Sequence, residues 1–484
     1  MKKIILFIPI FYFYLGHSGF AQETLSLEQF LKQVKNQEPG LKANVSSTHG
    51  GILRSEEGSL LLTPTLFVNF NRGSDAKLNP FSIVSFDNLV STSLSIGISQ
   101  LTSFGLQAKI HYDLSDQTMA NPLPANFQIP NRYTNASPVL ELTQNLWSNG
   151  FGVSTKANQI QLKSSALASS YSSSYQAKVM LSRAEMNYWR LAVARQAIGV
   201  QQEALTRAHK IYEWNQRRAR LQLGDQSDVL QAEALVQSRE LDLTAAQNEE
   251  RSASRAFNEA RNVDTERVSE QIIKISPDLV NQVQAPKRAL LRDDVKAAQQ
   301  QSRASQAMAE ISSDRDRPTL DLIASFSLNG QPGLSSNIAL PYTDLSQSIG
   351  PSFSFNRPTA TIGLRFSVPL AFGTISQSQA GWKQEQIAAA LTYDQKVMEQ
   401  EHNWKDLNES LGEAKQHLTL SRKLELIQGT KLTVERDRLK KGRTTTYQVL
   451  LFEQDFLLAQ LMRIRDQFNV LNLIAQMKQF GETL

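Results

Sequence analysis

Long stretches of the chain place apolar residues at steps of three and four, and shorter stretches place them at every second position. The first pattern is helical and the second is that of a strand with one apolar face. The helical pattern predicts long helices over Val153–Leu223, Ser227–Asn262, Ser376–Lys441 and Tyr447–Gln479, all free of proline. Shorter helices are expected over Ser26–Glu57 and Lys287–Asp316. Ser26 followed by Gln29 three residues on has the form of a capping box, and Pro39 should interrupt that first helix.

The long helices carry a heptad. In the first it runs through Ala177, Leu181, Ala184, Tyr188, Leu191, Arg195, Ile198, Gln202, Leu205, His209, Tyr212, Gln216, Ala219 and Leu223, which is coiled-coil spacing. Arg195, Gln202, His209 and Gln216 stand seven apart, so one seam position turns polar. Val229, Ala232, Val236, Arg239, Leu243, Ala246, Glu250, Ala253 and Phe257 continue the theme, as do Leu457, Leu461, Ile464, Phe468, Leu471 and Ala475. A helix of about 70 residues would measure about 105 Å, so an elongated assembly is expected.

Period-two alternation occupies Leu62–Phe70, Leu94–Ile98, Leu106–Leu114, Pro138–Trp147, Leu320–Asn329 and Ala360–Leu370. Segments of about ten residues match tilted membrane strands. A soluble sandwich would alternate in the same way, but the long helices and the N-terminus favour the membrane. Lys2 and Lys3, the apolar run Ile4–Leu15 and the small residues at Gly19 and Ala21 predict a secretory signal peptide over residues 1–21. Past residue 21 no run of about 18 apolar residues follows, so a spanning segment would have to be β.

Composition narrows the chemistry. Among 484 residues there is no cysteine, which excludes disulfide scaffolds, thiol catalysis and Cys-ligated zinc. The net charge of +5 is small and diffuse, which argues against nucleic acid. His49, His111, His209, His402 and His417 form no ligand-spaced pair, and no phosphate loop or nucleophile elbow is present. No catalytic residue, cofactor or metal is expected. The serine-rich run Ser164–Ser174 reads as a helix packing closely through small side chains.

The chain also repeats itself. Pro64-Thr65-Leu66 returns as Pro318-Thr319-Leu320, and Leu41-Lys42-Ala43 as Val295-Lys296-Ala297, both at an offset of 254. The turn at Gly224 pairs with the turn at Gly442, an offset of 218. Two structural repeats follow, over residues 22–262 and 263–484, each with a short helix, strands, a long helix, a tight turn and a second long helix. The first repeat holds about 30 extra residues, which the hairpin around Leu101–Gly105 explains.

This doubled plan, with the turns Arg220–Leu230 and Arg438–Leu450 and the opening Ser26–Phe30 and Pro39–Ala43, resembles the TolC family of outer-membrane efflux proteins. The resemblance implies a mainly α fold with membrane β. Three chains would form a β-barrel continued by a long helical coiled-coil tunnel in the periplasm. It implies a homotrimer in outer-membrane lipid, acting as exit duct of a tripartite efflux or type I secretion system. The partners implied are a periplasmic adaptor protein and, through it, an inner-membrane RND or ABC pump. Four to six strands cannot close a barrel alone. Four per chain would give twelve strands in a trimer, and the extra hairpin would raise this to eighteen. Twelve is the expectation, with the hairpin as an extension. The resemblance also places Gly224, Asp225, Gly442 and Arg443 at the adaptor-contacting tip.

One departure concerns the entrance. The family often has two acids after the second turn, where this chain has Gln448 and Leu451. Asp225 and Asp228 follow the first turn, which reads as about two residues shorter, so Asp228 and Gln448 are the candidate entrance residues. Gly224 and Gly442 are each expected to adopt positive φ. The alternative from another class is a periplasmic structural coiled-coil protein without channel activity.

Overall fold

The computed structural model describes residues 24–76, 88–120, 132–276, 280, 282–330 and 344–482. The expected signal peptide lies outside these residues. The elements, in chain order, are β1 (Thr24–Leu25), α1 (Leu27–Gln37), α2 (Pro39–Arg54), β2 (Thr65–Asp75), β3 (Asn88–Leu101), β4 (Leu106–Ala120) and β5 (Arg132–Asn145). There follow α3 (Val153–Arg220), α4 (Gln226–Ala260), β6 (Gln271–Ile272), α5 (Asp293–Arg315), β7 (Thr319–Leu328), α6 (Leu345–Ile349), β8 (Pro358–Ser367), α7 (Phe372–Lys440) and α8 (Thr446–Met477). The helices α3 and α7, at 68 and 69 residues, are the two longest of these.

The chain divides into two compact units, and each draws on both sequence halves. One comprises residues up to Val45, Tyr175–Leu290 and Glu401–Leu484; the other comprises Ser46–Ser174 and Leu291–Gln400. Neither unit coincides with residues 22–262 or 263–484.

In the first unit the capping box is complete: Gln29 N donates to Ser26 Oγ at 3.2 Å and Ser26 N to Gln29 Oε1 at 2.9 Å. Helix α1 ends before Pro39, where α2 begins, because proline disfavours helical geometry in the residue preceding it. The core gathers Phe30, Tyr188, Trp189, Leu191, Phe257, Leu471 and Ile474. Phe30 stacks on Phe257 at 4.1 Å between ring centroids, and Tyr188 meets Trp189 edge-on at 5.0 Å. The Tyr188 hydroxyl donates to the Leu25 carbonyl at 2.7 Å. That carbonyl belongs to β1, which pairs in parallel with β6.

The seam read along α3 holds at Ala177, Ala184, Tyr188 and Leu191, all buried, but not further on. Gln202 and His209 are exposed, and the buried line runs instead through Ala204, Ala208, Ile211 and Asn215. A straight α-helix drifts by about 20° per heptad against a seven-residue repeat. Gln202 and His209 nevertheless stay within about 40° of the Ala177 direction, while Ala204, Ala208, Ile211 and Asn215 lie on the opposite side at about 100° per residue, so the buried side of α3 changes along its length.

In the second unit all six alternating segments join one antiparallel sheet, in the order β2-β3-β4-β5-β7-β8. The hairpin β3–β4 therefore stands inside the sheet between β2 and β5, which corrects the expectation that it is an extension. Pro64 and Pro318 immediately precede the equivalent strands β2 and β7, as the repeat predicts. The serine-rich stretch of α3 packs on α2 through small groups. Ser170 donates to the Thr48 carbonyl at 2.8 Å, and a Cβ at Gly51 would lie 2.7 Å from the Ala166 carbonyl oxygen.

Candidate functional site

Two places carry the functional expectations: the turns α3–α4 and α7–α8 in the first unit, and the sheet in the second.

The two turns have the same construction. At the end of α7, Arg443 N donates to Arg438 O at 2.9 Å and Gly442 N to Leu439 O at 2.9 Å, with Gly442 at φ +69°. At the end of α3, Leu223 N donates to Arg218 O at 2.8 Å and Gln222 N to Ala219 O at 3.0 Å, with Gln222 at φ +61°. Both are Schellman caps, in which one left-handed residue satisfies the last helical carbonyls. Three residues later each chain segment enters the next helix. Asp225 caps α4 by accepting from Ser227 N at 3.0 Å, and Thr445 caps α8 by accepting from Gln448 N at 3.3 Å.

The equivalence is therefore Gln222 with Gly442 and Asp225 with Thr445, an offset of 220 rather than 218. Gly224 does not hold positive φ, and the first turn is not shorter than the second. The glycine was legible in sequence but the geometry was not, because the left-handed position of the first turn is filled by glutamine. Gly224 lies instead close to the end of α3, where a Cβ would sit 3.1 Å from Arg218 Cβ. Arg218 itself donates to the Leu223 carbonyl at 2.7 Å and covers the Trp214 ring.

Asp228 lies in the first turn of α4, half-buried, beyond the cap that Asp225 supplies. A carboxylate there is favoured by the helix dipole. Gln448 occupies the equivalent place in α8 and donates the capping bond from its backbone. Gly442 and Arg443 are exposed at the turn, as is Asp225. The surroundings are basic: Arg217, Arg220, Lys440, Lys441 and Arg443 are all exposed.

Between the two helical hairpins lies an apolar contact of Ile211, Ala232, Leu432, Leu439 and Val449. Beside it is a polar tie that sequence reading did not find. Glu453 on α8 is fully buried and binds two arginines from two other helices. Arg207 of α3 donates through Nε to one carboxylate oxygen, and Arg436 of α7 donates to the other at 2.7 Å. Arg207 also lies over the Phe456 ring at 5.3 Å. Thr446 donates to Asn215 Oδ1 at 2.8 Å, joining the start of α8 to α3. The available signal was Glu453 between Val449 and Leu457 at steps of four, a charge inside an apolar line. An open cleft of about 420 Å³ adjoins this tie, lined by Arg207, Lys210, Trp214, Arg217, Arg436 and Lys440.

In the sheet, register assigns the two faces. One face carries Leu66, Val68 and Phe70 of β2, Leu94, Ile96 and Ile98 of β3, Ile110 and Leu114 of β4, Leu140 and Leu142 of β5, Leu322 and Phe326 of β7, and Ile362, Leu364 and Phe366 of β8. Many of these are well exposed, Leu66 at 73% and Leu364 at 69%. The other face carries Asn69, Ser93, Ser95, Lys109, Asp113, Glu141, Asp321, Ser325, Thr361 and Arg365. His111 lies on this polar face with Nδ1 2.8 Å from Asp113 and Nε2 3.7 Å from Glu141, and Glu141 is 3.8 Å from Lys109. An apolar face open to the surroundings, opposite a charged one, is the division a channel wall in lipid requires.

No helix among the described residues is long and apolar enough to cross a membrane. Among those residues no group of three or more His, Cys, Asp or Glu is placed to hold a metal ion.

No protein-family model matches the chain, and no curated protein matches it in sequence. Solved structures do. The outer membrane protein VceC from Vibrio cholerae aligns with a TM-score of 0.63 at 15% identity, covering 94% of this chain and 96% of its own. The Campylobacter jejuni CmeC outer membrane channel aligns at 0.60 and 14%, covering 94% and 85%. The open state of the Neisseria gonorrhoeae MtrE outer membrane channel aligns at 0.59 and 14%, covering 94% and 88%. The fold is shared along nearly the whole of each chain.

Proposed function

We propose that this chain, which has the fold of the TolC-type outer-membrane channels, is the outer-membrane exit duct of a tripartite efflux or type I secretion system. The observation that carries the reading is the sheet: one face apolar and exposed across six strands, the other charged, with both edge strands open. A six-stranded open sheet cannot close by itself, since the smallest closed barrels take about eight strands. Its edges would leave backbone groups unpaired in lipid. Closure with further copies removes both costs, and the reading takes three copies. The helical hairpins then form the periplasmic wall. Their turns, which carry Gly224, Asp225, Gly442 and Arg443, meet a periplasmic adaptor that leads to an RND or ABC pump. The pump selects the cargo and the duct provides passage; no step requires a cofactor or covalent chemistry.

Fractionation and detergent extraction test this. The mature protein is expected in outer-membrane fractions as a detergent-stable homotrimer. A folded, detergent-free monomer would overturn the duct.

A further inference from the structure

The extra hairpin β3–β4 distinguishes this chain from the four-strand plan its repeat implies. We infer that the hairpin is part of the barrel wall, so that three copies close eighteen strands rather than twelve. The inference rests on the trimeric duct proposed above and concerns the width of its exit.

Phase is the first argument. A one-residue slip in strand pairing would turn every side chain to the opposite face. Across both boundaries of the hairpin the phase is kept: Leu66 pairs with Ile98, Ile98 with Ile110, Ile110 with Leu140, and Leu140 with Phe326. One apolar row thus crosses β2, β3, β4, β5 and β7 without interruption. On the opposite face Asn69 pairs with Ser95, Ser95 with Asp113, and Asp113 with Ser137. A hairpin lying off the wall would have no need to match both neighbours on both faces.

Anchoring is the second. The hairpin turn packs against the turn that leads from β5 into α3. A Cβ at Gly105 would stand 2.8 Å from Gly152 N, and one at Gly152 would collide with Ser103 O; both glycines hold positive φ. On the apolar face the segment from Asp344 to Phe353 straddles the boundary between β4 and β5. Tyr112 of β4 shares a 2.7 Å hydrogen bond with Ser352, and Thr134 of β5 shares one of 2.9 Å with Ser348. Tyr112 also stacks on Phe353 at 5.7 Å. The hairpin is therefore fixed to β5 both at its turn and along its length.

Parity is the third. Six antiparallel strands leave β2 and β8 running in opposite directions. The free edge of β8 in one copy can then join β2 of the next as another antiparallel pair, and the apolar band continues from Leu364 to Leu66. The added strands widen the ring. With strands about 4.8 Å apart and tilted by about 40°, eighteen give a backbone diameter of about 36 Å, against about 24 Å for twelve.

The experiment is cryo-electron microscopy of the full-length protein in lipid nanodiscs, combined with cysteine pairs in this naturally cysteine-free chain. A trimeric ring of eighteen strands, about 1.5 times wider than a twelve-strand ring, is expected. The pairs Asn69→Cys with Ser95→Cys, and Lys109→Cys with Glu141→Cys, face each other across β2–β3 and β4–β5. Directly opposed positions lie within disulfide reach, so both pairs should oxidise nearly fully in membranes, as read by mass spectrometry of linked peptides. A twelve-strand trimer, or failure of either pair to link, overturns the inference and leaves the duct standing. Absence of any ring overturns the duct, while the cysteine pairs still report whether the hairpin lies in the sheet.

Discussion

Removing the Glu453 carboxylate should loosen the junction of the two helical hairpins more than any other single polar change there. Glu453 is fully buried, whereas the side chains of Arg207 and Arg436 are 15% and 33% exposed. Charges about 4 Å apart attract by about 4 kcal/mol at an effective dielectric constant near 20. Two such attractions offset the burial of one carboxylate and the partial burial of two guanidinium groups. Deleting one member of a buried pair typically costs about 3–5 kcal/mol, because the others stay buried without compensation. The partial exposure of Arg436 puts Glu453→Gln near the lower end, about 3 kcal/mol. Local opening would then be about 100-fold more frequent, since 1.4 kcal/mol is tenfold. Hydrogen exchange measured on the intact protein in detergent or nanodiscs should show this acceleration in peptides covering residues 207–215, 436–442 and 446–456. The triple change Arg207→Met, Arg436→Met and Glu453→Met should cost far less than Glu453→Gln alone, because no charge is left stranded. Exchange within about twofold of wild type in Glu453→Gln, or a triple variant worse than the single one, would refute this reasoning.

Three further outcomes are expected. Gln222→Gly should stabilise the first turn by about 0.5–1 kcal/mol, and Gly442→Ala should destabilise the second by about 1 kcal/mol, since only the left-handed residue changes strain; exchange at the two tips compares them directly. Asp228→Asn should reduce cation selectivity and trivalent-cation block of single channels in planar bilayers. Unchanged block would leave Asp228 as a residue serving only the helix dipole. Burial pushes the Tyr188 hydroxyl up to about 12, so the folded state favours its neutral form. That stability is complete below the usual tyrosine value of about 10 and is lost as pH rises through the folded value. Tyr188→Phe should melt earlier at neutral pH, by about 1 kcal/mol for the lost hydrogen bond to Leu25, and should decline less between about pH 10 and pH 12.

The helices were legible because their periodicity extends over many turns and no proline breaks it. Their exact packing was not, since the buried side of α3 changes between Leu191 and Ala204 while the heptad read from Ala177 continues along its first side. The strands were legible only where Leu, Ile and Phe alternate with polar residues. Beyond that band β3 begins at Asn88 and β5 at Arg132, in runs rich in Ser, Thr and Asn where the few apolar residues, such as Leu89 and Val90, do not keep to one face. Helix α5 begins at Asp293, six residues later than its composition suggests, with Arg292 in extended conformation ahead of it. Asp225, Gly442 and Arg443 lie in the two helix-to-helix turns and Asp228 in the first turn of α4, at the places in the chain where the sequence put those turns. Gln222 was missed because a glutamine announces no left-handed backbone. Arg207, Arg436 and Glu453 were missed because their partnership spans three helices, with Arg207 and Glu453 separated by 246 positions along the chain.

The matching caps at Gln222 and Gly442 have a consequence for symmetry. Three copies arranged in a ring would present six hairpin ends whose main chains follow one design, while their side chains alternate between two sets. A partner that reads only backbone would meet a pseudo-sixfold crown. One that reads Asp225 against Thr445, or Leu223 against Arg443, would meet three sites of one kind interleaved with three of another. A single change at either turn would then alter every second point of the crown, and partners of threefold and sixfold stoichiometry would respond to it differently.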